Sequence, residues 1–85
     1  MGETVEERLI SVMEARLGDY LRDVSLSRST RLFAGGIELD SFGAFYLLTL
    51  IEEHFGIQLE GDSLTEANFQ TPDTVAALLR RLGVS

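Results

Sequence analysis

The sequence contains no cysteine and no lysine, and it has one histidine and one proline. Without cysteine the chain can form no disulfide, thiolate metal ligand or cysteine nucleophile, so any thiol chemistry must come from an attached group. The single histidine, His54, and the lack of lysine leave few side chains for acid–base catalysis. These absences disfavour an enzyme, and we expect a non-catalytic protein without a metal site.

Basic residues are also scarce, because seven arginines stand against fourteen acidic residues and the formal net charge is -7. This charge has the wrong sign for nucleic acid or an anionic membrane, so we expect protein partners that present basic patches. The longest nearly apolar run, residues 42–51, is about ten residues, well short of the ~20 that span a bilayer. The N-terminus is acidic where a signal peptide would be basic and then apolar, which favours a cytoplasmic protein.

The 85 residues have room for one small domain, residues 1–85, and their apolar spacing predicts an all-α fold. A first helix is expected from Thr4 to about Leu17, where Thr4 and Glu7 can form a capping box. We expect this helix to end at Gly18 and a long loop to continue to Asp40. Apolar residues that could anchor the loop to the core are Leu21, Val24, Leu32, Phe33, Ile37 and Leu39.

A second helix is expected over residues 41–55, capped by Asp40 and ended by Gly56. A short helical turn near residues 64–69 should follow, and then a last helix that has Thr71 as its N-cap and Pro72 as its first residue and that stops at Gly83. The expected architecture is therefore a small four-helix bundle. It has three longer helices, one short helix and a long loop between the first two longer helices.

The second helix is apolar on two opposite sides. Its core stripe is expected to consist of Ala44, Leu47, Leu48, Ile51 and Phe55. The opposite side carries Phe42, Phe45, Tyr46 and Thr49, and acidic residues follow only at its far end, at Glu52 and Glu53. Periodicity alone fits equally a helix that is buried nearly all round and a helix with an exposed binding face.

Ser41 follows the expected N-cap Asp40, so its hydroxyl lies at the positive end of a helix dipole. A phosphodiester at this position would gain stabilisation from the dipole and from free backbone N–H groups. An isolated Asp-Ser pair is more often simply a good helix start. The pair alone therefore establishes no function.

The run Leu39-Asp40-Ser41-Phe42, followed by an apolar helix that ends Ile51-Glu52-Glu53-His54-Phe55-Gly56-Ile57, resembles the modification site of acyl and peptidyl carrier proteins. The likeness extends over almost the whole chain, as far as Phe69-Gln70-Thr71 before the last helix. It implies that Ser41 receives a 4'-phosphopantetheine arm from coenzyme A, and that Asp40 caps the helix and assists recognition. The arm's thiol would carry an acyl or aminoacyl group as a thioester.

The resemblance also implies the partners of a monomeric, stand-alone carrier. These are a phosphopantetheinyl transferase, an acyl- or aminoacyl-loading ligase or adenylation enzyme, and a downstream synthase or transferase. They would dock on the exposed face of the second helix, which maps onto Phe42, Phe45, Tyr46, Thr49 and Glu53.

The sequence departs from the family pattern in three places. Glu38 stands where glycine is usual, two residues before Asp40. Gly43 and Tyr46 stand where carriers of fatty acid synthesis usually have acidic residues on the exposed face. The segment over residues 64–71 is more similar to stand-alone aminoacyl or secondary-metabolite carriers. The expected role is therefore in secondary-metabolite or aminoacyl-transfer biosynthesis rather than in bulk fatty acid synthesis.

A second hypothesis is an unmodified scaffold or regulatory domain that binds partners through Phe42, Phe45 and Tyr46. The two hypotheses differ at Ser41, because a carrier requires its hydroxyl and an interaction domain does not. The acidic pairs Glu6-Glu7 and Glu52-Glu53 are expected on solvated faces, so they do not separate the hypotheses.

Overall fold

A computed structural model describes residues 3–21, 25–33 and 35–85 of the chain. These residues include four α-helices and two 3₁₀ turns. The helices are α1 (Val5–Arg16), α2 (Gly18–Leu21), α3 (Ser41–Phe55) and α4 (Pro72–Arg81), and the 3₁₀ turns span Gly61–Ser63 and Glu66–Phe69. Among the helices, α1 packs most extensively against α4, and it also contacts α2 and α3. The all-α prediction is confirmed.

Local hydrogen bonds explain where the longer helices begin. At the start of α1, the Thr4 hydroxyl accepts the Glu7 N–H at 3.1 Å, and the Glu7 carboxylate accepts the Thr4 N–H at 2.9 Å. Thr71 and Thr74 form the same reciprocal pair before α4, where Pro72 occupies the first helical position. The helix starts are thus set by side chains that satisfy otherwise unpaired N–H groups.

One apolar cluster joins the three longer helices. Leu9 and Met13 of α1, Ile51 of α3 and Leu79 of α4 are all fully buried in it. Each such side chain contributes roughly 1.5–3 kcal/mol by leaving water. Burial of these facing stripes therefore holds the helices together.

The predicted loop anchors reach this core. Leu21, Leu32, Ile37 and Leu39 are buried, and Phe33 is half-buried against the cluster. Val24 lies outside the described residues. Because Leu32 and Phe33 lie within residues 25–33 and the other anchors lie on both sides, that part of the loop is packed against the core.

The structure has one short helix more than the sequence predicts. Gly18 was expected to end the first helix, but its φ is not positive and it begins α2 instead. Leu17 precedes this single turn and Leu21 ends it, and a spacing of four residues places both side chains in the core. The segment over residues 64–69, where the short helix was expected, forms the 3₁₀ turn Glu66–Phe69.

Glu6 was expected on a solvated face, but it is buried and 4% exposed. Two nitrogens of the Arg80 guanidinium donate to its two carboxylate oxygens, one of them at 2.7 Å. Arg28 contacts the same carboxylate at 3.3 Å and Asp73 at 3.1 Å. This Glu6 network joins α1, the loop and α4.

The Arg80 guanidinium lowers the pKa of Glu6 from 4.5 to about 2. A carboxylate with a lowered pKa stabilises the folded state fully above its unfolded pKa, and this contribution disappears as the pH falls toward the folded pKa. The Glu6 network should therefore weaken between about pH 5 and pH 2.

We predict that Glu6→Gln lowers the free energy of unfolding by about 1–3 kcal/mol at pH 7, because Arg80 loses its charged partner. Urea unfolding monitored by circular dichroism measures the loss. The difference in the free energy of unfolding between wild type and variant should become smaller as the pH falls from 5 to 2. Glu53→Gln, which changes an exposed carboxylate, is the matched control, and a difference independent of pH would contradict the assignment.

Candidate functional site

The site predicted at Ser41 lies at the beginning of α3. Asp40 has an extended backbone, and its carboxylate accepts the Gly43 N–H at 2.7 Å. The Asp40 carbonyl accepts the Ala44 N–H at 2.8 Å, which is the first hydrogen bond of the helix. The carboxylate of Asp40 is thus committed to the helix start.

Ser41 is the first residue of α3, and its side chain is exposed. Within the described residues its hydroxyl has no hydrogen-bond partner, and the N–H groups of Ser41 and Phe42 have no acceptor. These donors and the 15-residue helix behind them make this end of α3 partially positive. The arrangement is an accessible hydroxyl beside a surface that stabilises a negatively charged substituent.

The segment before Ser41 is held by backbone hydrogen bonds. Leu39 N–H donates to the Leu32 carbonyl at 3.0 Å, and Ile37 N–H donates to the Arg31 carbonyl at 2.9 Å. Leu32 N–H in turn donates to the Gln70 carbonyl at 2.9 Å, which ties the segment to the residues before α4. The position of Asp40 and Ser41 therefore depends on the loop and on the second half of the chain.

Glu38 has a φ of 53° and is the one non-glycine residue with a positive φ in the part of the chain that the structure describes. For a residue with a Cβ this left-handed conformation costs about 1–2 kcal/mol, whereas glycine adopts it freely. Gly36 in the same loop must be glycine, because a Cβ there would lie 1.9 Å from the Arg31 carbonyl oxygen. At residue 38 the side chain is exposed, so space does not demand glycine although the backbone favours it.

Gly43 was interpreted as part of the exposed face, but it is buried. A Cβ at this position would lie 2.9 Å from Tyr20 Cε1 and 3.0 Å from Leu39 Cδ2. Tyr20 belongs to α2, the helix that the sequence did not predict. Gly43 thus allows α2 to pack closely on the first turn of α3.

We predict that Gly43→Ala destabilises the fold by about 1–3 kcal/mol, because the added methyl group forces Tyr20 or Leu39 out of position. Thermal unfolding monitored by circular dichroism measures this loss. Gly61→Ala is the matched control, since a Cβ there has no atom within 4 Å. Equal stability of the two variants would show that α2 does not pack on α3 as described.

The predicted partner face divides into exposed and half-buried residues. Phe42 and Phe45 are 81% and 72% exposed, and Glu53 is also exposed. Thr49 is half-buried, and its hydroxyl donates to the Phe45 carbonyl at 3.0 Å. Tyr46 is half-buried too, so the free apolar surface consists mainly of the two phenylalanines.

Tyr46 lies at the edge of this face and is turned toward α1. Its hydroxyl accepts the Arg16 Nε–H at 3.1 Å, and the guanidinium carbon of Arg16 lies 5.8 Å from its ring centroid. Arg16 ends α1, so this contact connects the C-terminal end of α1 to α3. Tyr46 therefore contributes to the packing of α3 as well as to its exposed edge.

The buried side of α3 is rotated from the predicted stripe. Leu47 and Ile51 are buried as expected, and Leu50 is also buried although the stripe did not include it. Leu50 follows Gly43 by seven residues and so lies on the same side of α3, the side on which Tyr20 of α2 packs at Gly43. Ala44, Leu48 and Phe55, which were expected in the stripe, are only partly buried.

Ala44 and Leu48 are partly exposed because they border a cavity of about 380 Å³. The cavity is lined almost entirely by apolar groups from α3, the loop and the second 3₁₀ turn. Its lining residues are Phe33, Ala44, Leu47, Leu48, Leu64, Thr65, Glu66 and Phe69.

In the described ranges, no cluster of three or more His, Cys, Asp and Glu side chains could hold a metal ion. The helices seen in these ranges are also too short or too polar to cross a membrane. His54 is exposed near the end of α3, and its ring packs edge-on against Phe55 at 4.9 Å. It is remote from Ser41, at the opposite end of the helix.

The architecture is similar to that of a holo acyl carrier protein from Nitrosomonas europaea, whose structure was solved by solution NMR. The two structures superpose with a TM-score of 0.76 over 94% of this chain and 96% of that chain, at 22% sequence identity. No family model matches the sequence, and no curated protein matches it. Since the superposition covers nearly all of both chains, the predicted bundle is confirmed and this chain has the fold of an acyl carrier protein.

Proposed function

We propose that this chain is a non-catalytic acyl or aminoacyl carrier that bears 4'-phosphopantetheine on Ser41. The observation that carries the proposal is the exposed Ser41 hydroxyl at the start of α3, which has no partner among the described residues, in a fold shared with a holo acyl carrier protein. When bound, the arm would supply the thiol that the cysteine-free chain lacks and would hold the cargo as a thioester. The protein itself would position the arm and present it to partner enzymes.

The residues around Ser41 fit a phosphodiester. Attachment would form a bond between Ser41 Oγ and the pantetheine-bearing phosphorus of coenzyme A, break the P–O bond of the pyrophosphate on that phosphorus, and release adenosine 3',5'-bisphosphate and the serine proton. The resulting anion would lie beside the free N–H groups of Ser41 and Phe42, where the helix dipole favours negative charge. Asp40 is held back by its bond to Gly43, so it shapes the helix start without competing for those donors.

A carrier of this kind works by tethering. A flexible arm keeps the cargo at high effective concentration near an active site, while weak docking allows exchange between successive enzymes. The proposed partners are a phosphopantetheinyl transferase, a loading ligase or adenylation enzyme, and a downstream synthase or transferase. The proposal places a single-domain, monomeric carrier in the cytoplasm, where coenzyme A is available.

The exposed face of α3 supports a role in secondary-metabolite or aminoacyl-transfer biosynthesis. Gly43 is buried, so it does not contribute to the exposed face. Phe42 and Phe45 are exposed and determine the character of that face. They give the first two turns of α3 an apolar surface in place of an acidic one. We infer that docking uses Phe42 and Phe45, with Tyr46, Thr49 and Glu53 around them.

The apolar cavity beside α3 supports a cargo with an apolar part. Ala44 and Leu48 follow Ser41 by three and seven residues, which corresponds to about 5 and 11 Å along the helix axis. The volume of about 380 Å³ falls in the range of small-molecule sites. Ala44, which lines the cavity, is therefore about one helical turn from the point where the arm would be attached.

We predict that Ser41→Ala abolishes arm attachment and leaves the fold intact, because a serine after the cap contributes little to stability. The measurement is the intact mass after incubation with coenzyme A, Mg²⁺ and a phosphopantetheinyl transferase of broad carrier range. Wild type should gain one phosphopantetheine, and the variant should gain none.

Ser11→Ala is the matched control, because Ser11 is exposed in the middle of α1 and lies away from the site. It should gain the same mass as wild type. Wild type that gains no mass would favour the unmodified interaction domain. In that case Ser41→Ala should bind partners as wild type does.

We predict that Phe42→Ala combined with Phe45→Ala slows transfer from the carrier to its client enzymes at least about tenfold, a loss of about 1.4 kcal/mol of docking energy. The fold should be retained, because both rings are largely exposed. Transfer rates measured with the arm already attached separate this effect from modification.

Leu82→Ala is the matched control for the loss of exposed apolar surface, since Leu82 is 40% exposed and follows the last residue of α4. It should transfer cargo at the wild-type rate. Unchanged transfer by the double variant would place the docking surface elsewhere on the molecule.

A further inference from the structure

We infer that Glu38 is a specificity residue whose carboxylate meets a lysine or arginine of the enzyme that modifies Ser41. This inference rests on the proposed function, because it assigns a role in the modification of that serine. It begins from the backbone of Glu38, which has a left-handed φ of 53°.

Backbone conformation alone would favour glycine at residue 38. The conformation is imposed by its surroundings, since both neighbours, Ile37 and Leu39, are buried and their N–H groups are bonded to Arg31 and Leu32. Residues with a strained backbone of this kind are concentrated at functional sites, where the function of the side chain offsets the conformational free energy of the strain. We therefore expect the side chain of Glu38 to have a function that glycine could not perform.

The location of Glu38 indicates this function. Ile37 and Leu39 point into the core, and the side chain between them is exposed. Glu38 lies three positions before Ser41, so their Cα atoms are at most about 11 Å apart. A protein that reaches the Ser41 hydroxyl from solvent must therefore approach Glu38 as well.

Two exposed carboxylates, those of Asp40 and Glu38, precede Ser41 in the chain, and they differ in their contacts. The carboxylate of Asp40 accepts the Gly43 N–H, whereas Glu38 forms no ion pair with any residue in the described ranges. On the helix side, Phe42 and Phe45 leave the first turns of α3 without an acid. A cationic side chain of a docking enzyme would find its partner on the loop, at Glu38.

The position of this charge commits the inference to the modifying transferase. That enzyme must bring the coenzyme A pyrophosphate, which is anionic, against the same end of α3. Such an enzyme needs cationic groups close to the reacting serine to bind the pyrophosphate, and Glu38 would pair with a further one at the edge of that site.

The test compares kcat/KM for phosphopantetheine attachment to wild type, Glu38→Gln, Glu38→Gly and the control Glu60→Gln. Glu60 is an exposed acid beyond the far end of α3, so its substitution changes net charge equally but remotely. Coenzyme A, Mg²⁺ and a phosphopantetheinyl transferase of broad carrier range are the reagents. Attachment is followed by intact mass, and melting temperatures are measured in parallel.

We expect Glu38→Gln and Glu38→Gly to lower kcat/KM about three- to tenfold, mainly through KM, while Glu60→Gln stays within twofold of wild type. The loss should shrink when salt is raised from 50 to 300 mM, because the contact is an exposed ion pair. Glu38→Gly should melt at or above the wild-type temperature, which separates the lost contact from a damaged fold.

Two outcomes would overturn the inference. If Glu38→Gln and Glu38→Gly are both modified at the wild-type rate, the transferase does not contact the carboxylate. An equal loss in Glu60→Gln would mean that only net charge matters. If wild type is not modified at all, the proposed function fails first, and the inference fails with it.

Discussion

Burial of Leu39 is the constraint on which the site depends. Its side chain enters the core beside Gly43 and Tyr20, so the next residues must turn outward. Asp40 then starts α3 with an extended backbone and a side-chain hydrogen bond, and Ser41 emerges at the helix end. A hydrophobic contact thus sets the place of a polar group, and the cap sets its orientation.

Features with local causes could be predicted from the sequence, and features with distant causes could not. The bounds of α3 and the capping of α1 and α4 follow from residues within a few positions of each helix end. The burial of Glu6 depends on Arg80, which is 74 residues away. The Ser41 environment was accessible to sequence reasoning because its signals, Asp40 and an apolar helix, are adjacent to it.

The misplaced core stripe on α3 has the same origin. Leu50 and Gly43 are buried because α2 and α1 cover that side, and a four-residue helix leaves almost no periodic signal. Without α2, the most apolar arc of α3 is the one that includes Ala44 and Leu48. These residues instead border the cavity, so the helix meets a closed core on one flank and an open apolar space on the other.

The Glu6 network also determines which helix of the bundle can move relative to the others. Its ion pairs brace α1, the loop and α4 against one another, and none of the ion pairs in the described ranges reaches α3. The described contacts that hold α3 to α1 are apolar packing, which has no preferred direction, the Arg16–Tyr46 hydrogen bond, and the Arg8 guanidinium, which lies 4.8 Å from the centre of the Phe55 ring. A small sliding motion of α3 therefore breaks no ion pair, and the volume beside Ala44 and Leu48 is the part of the molecule that such a motion would widen or narrow.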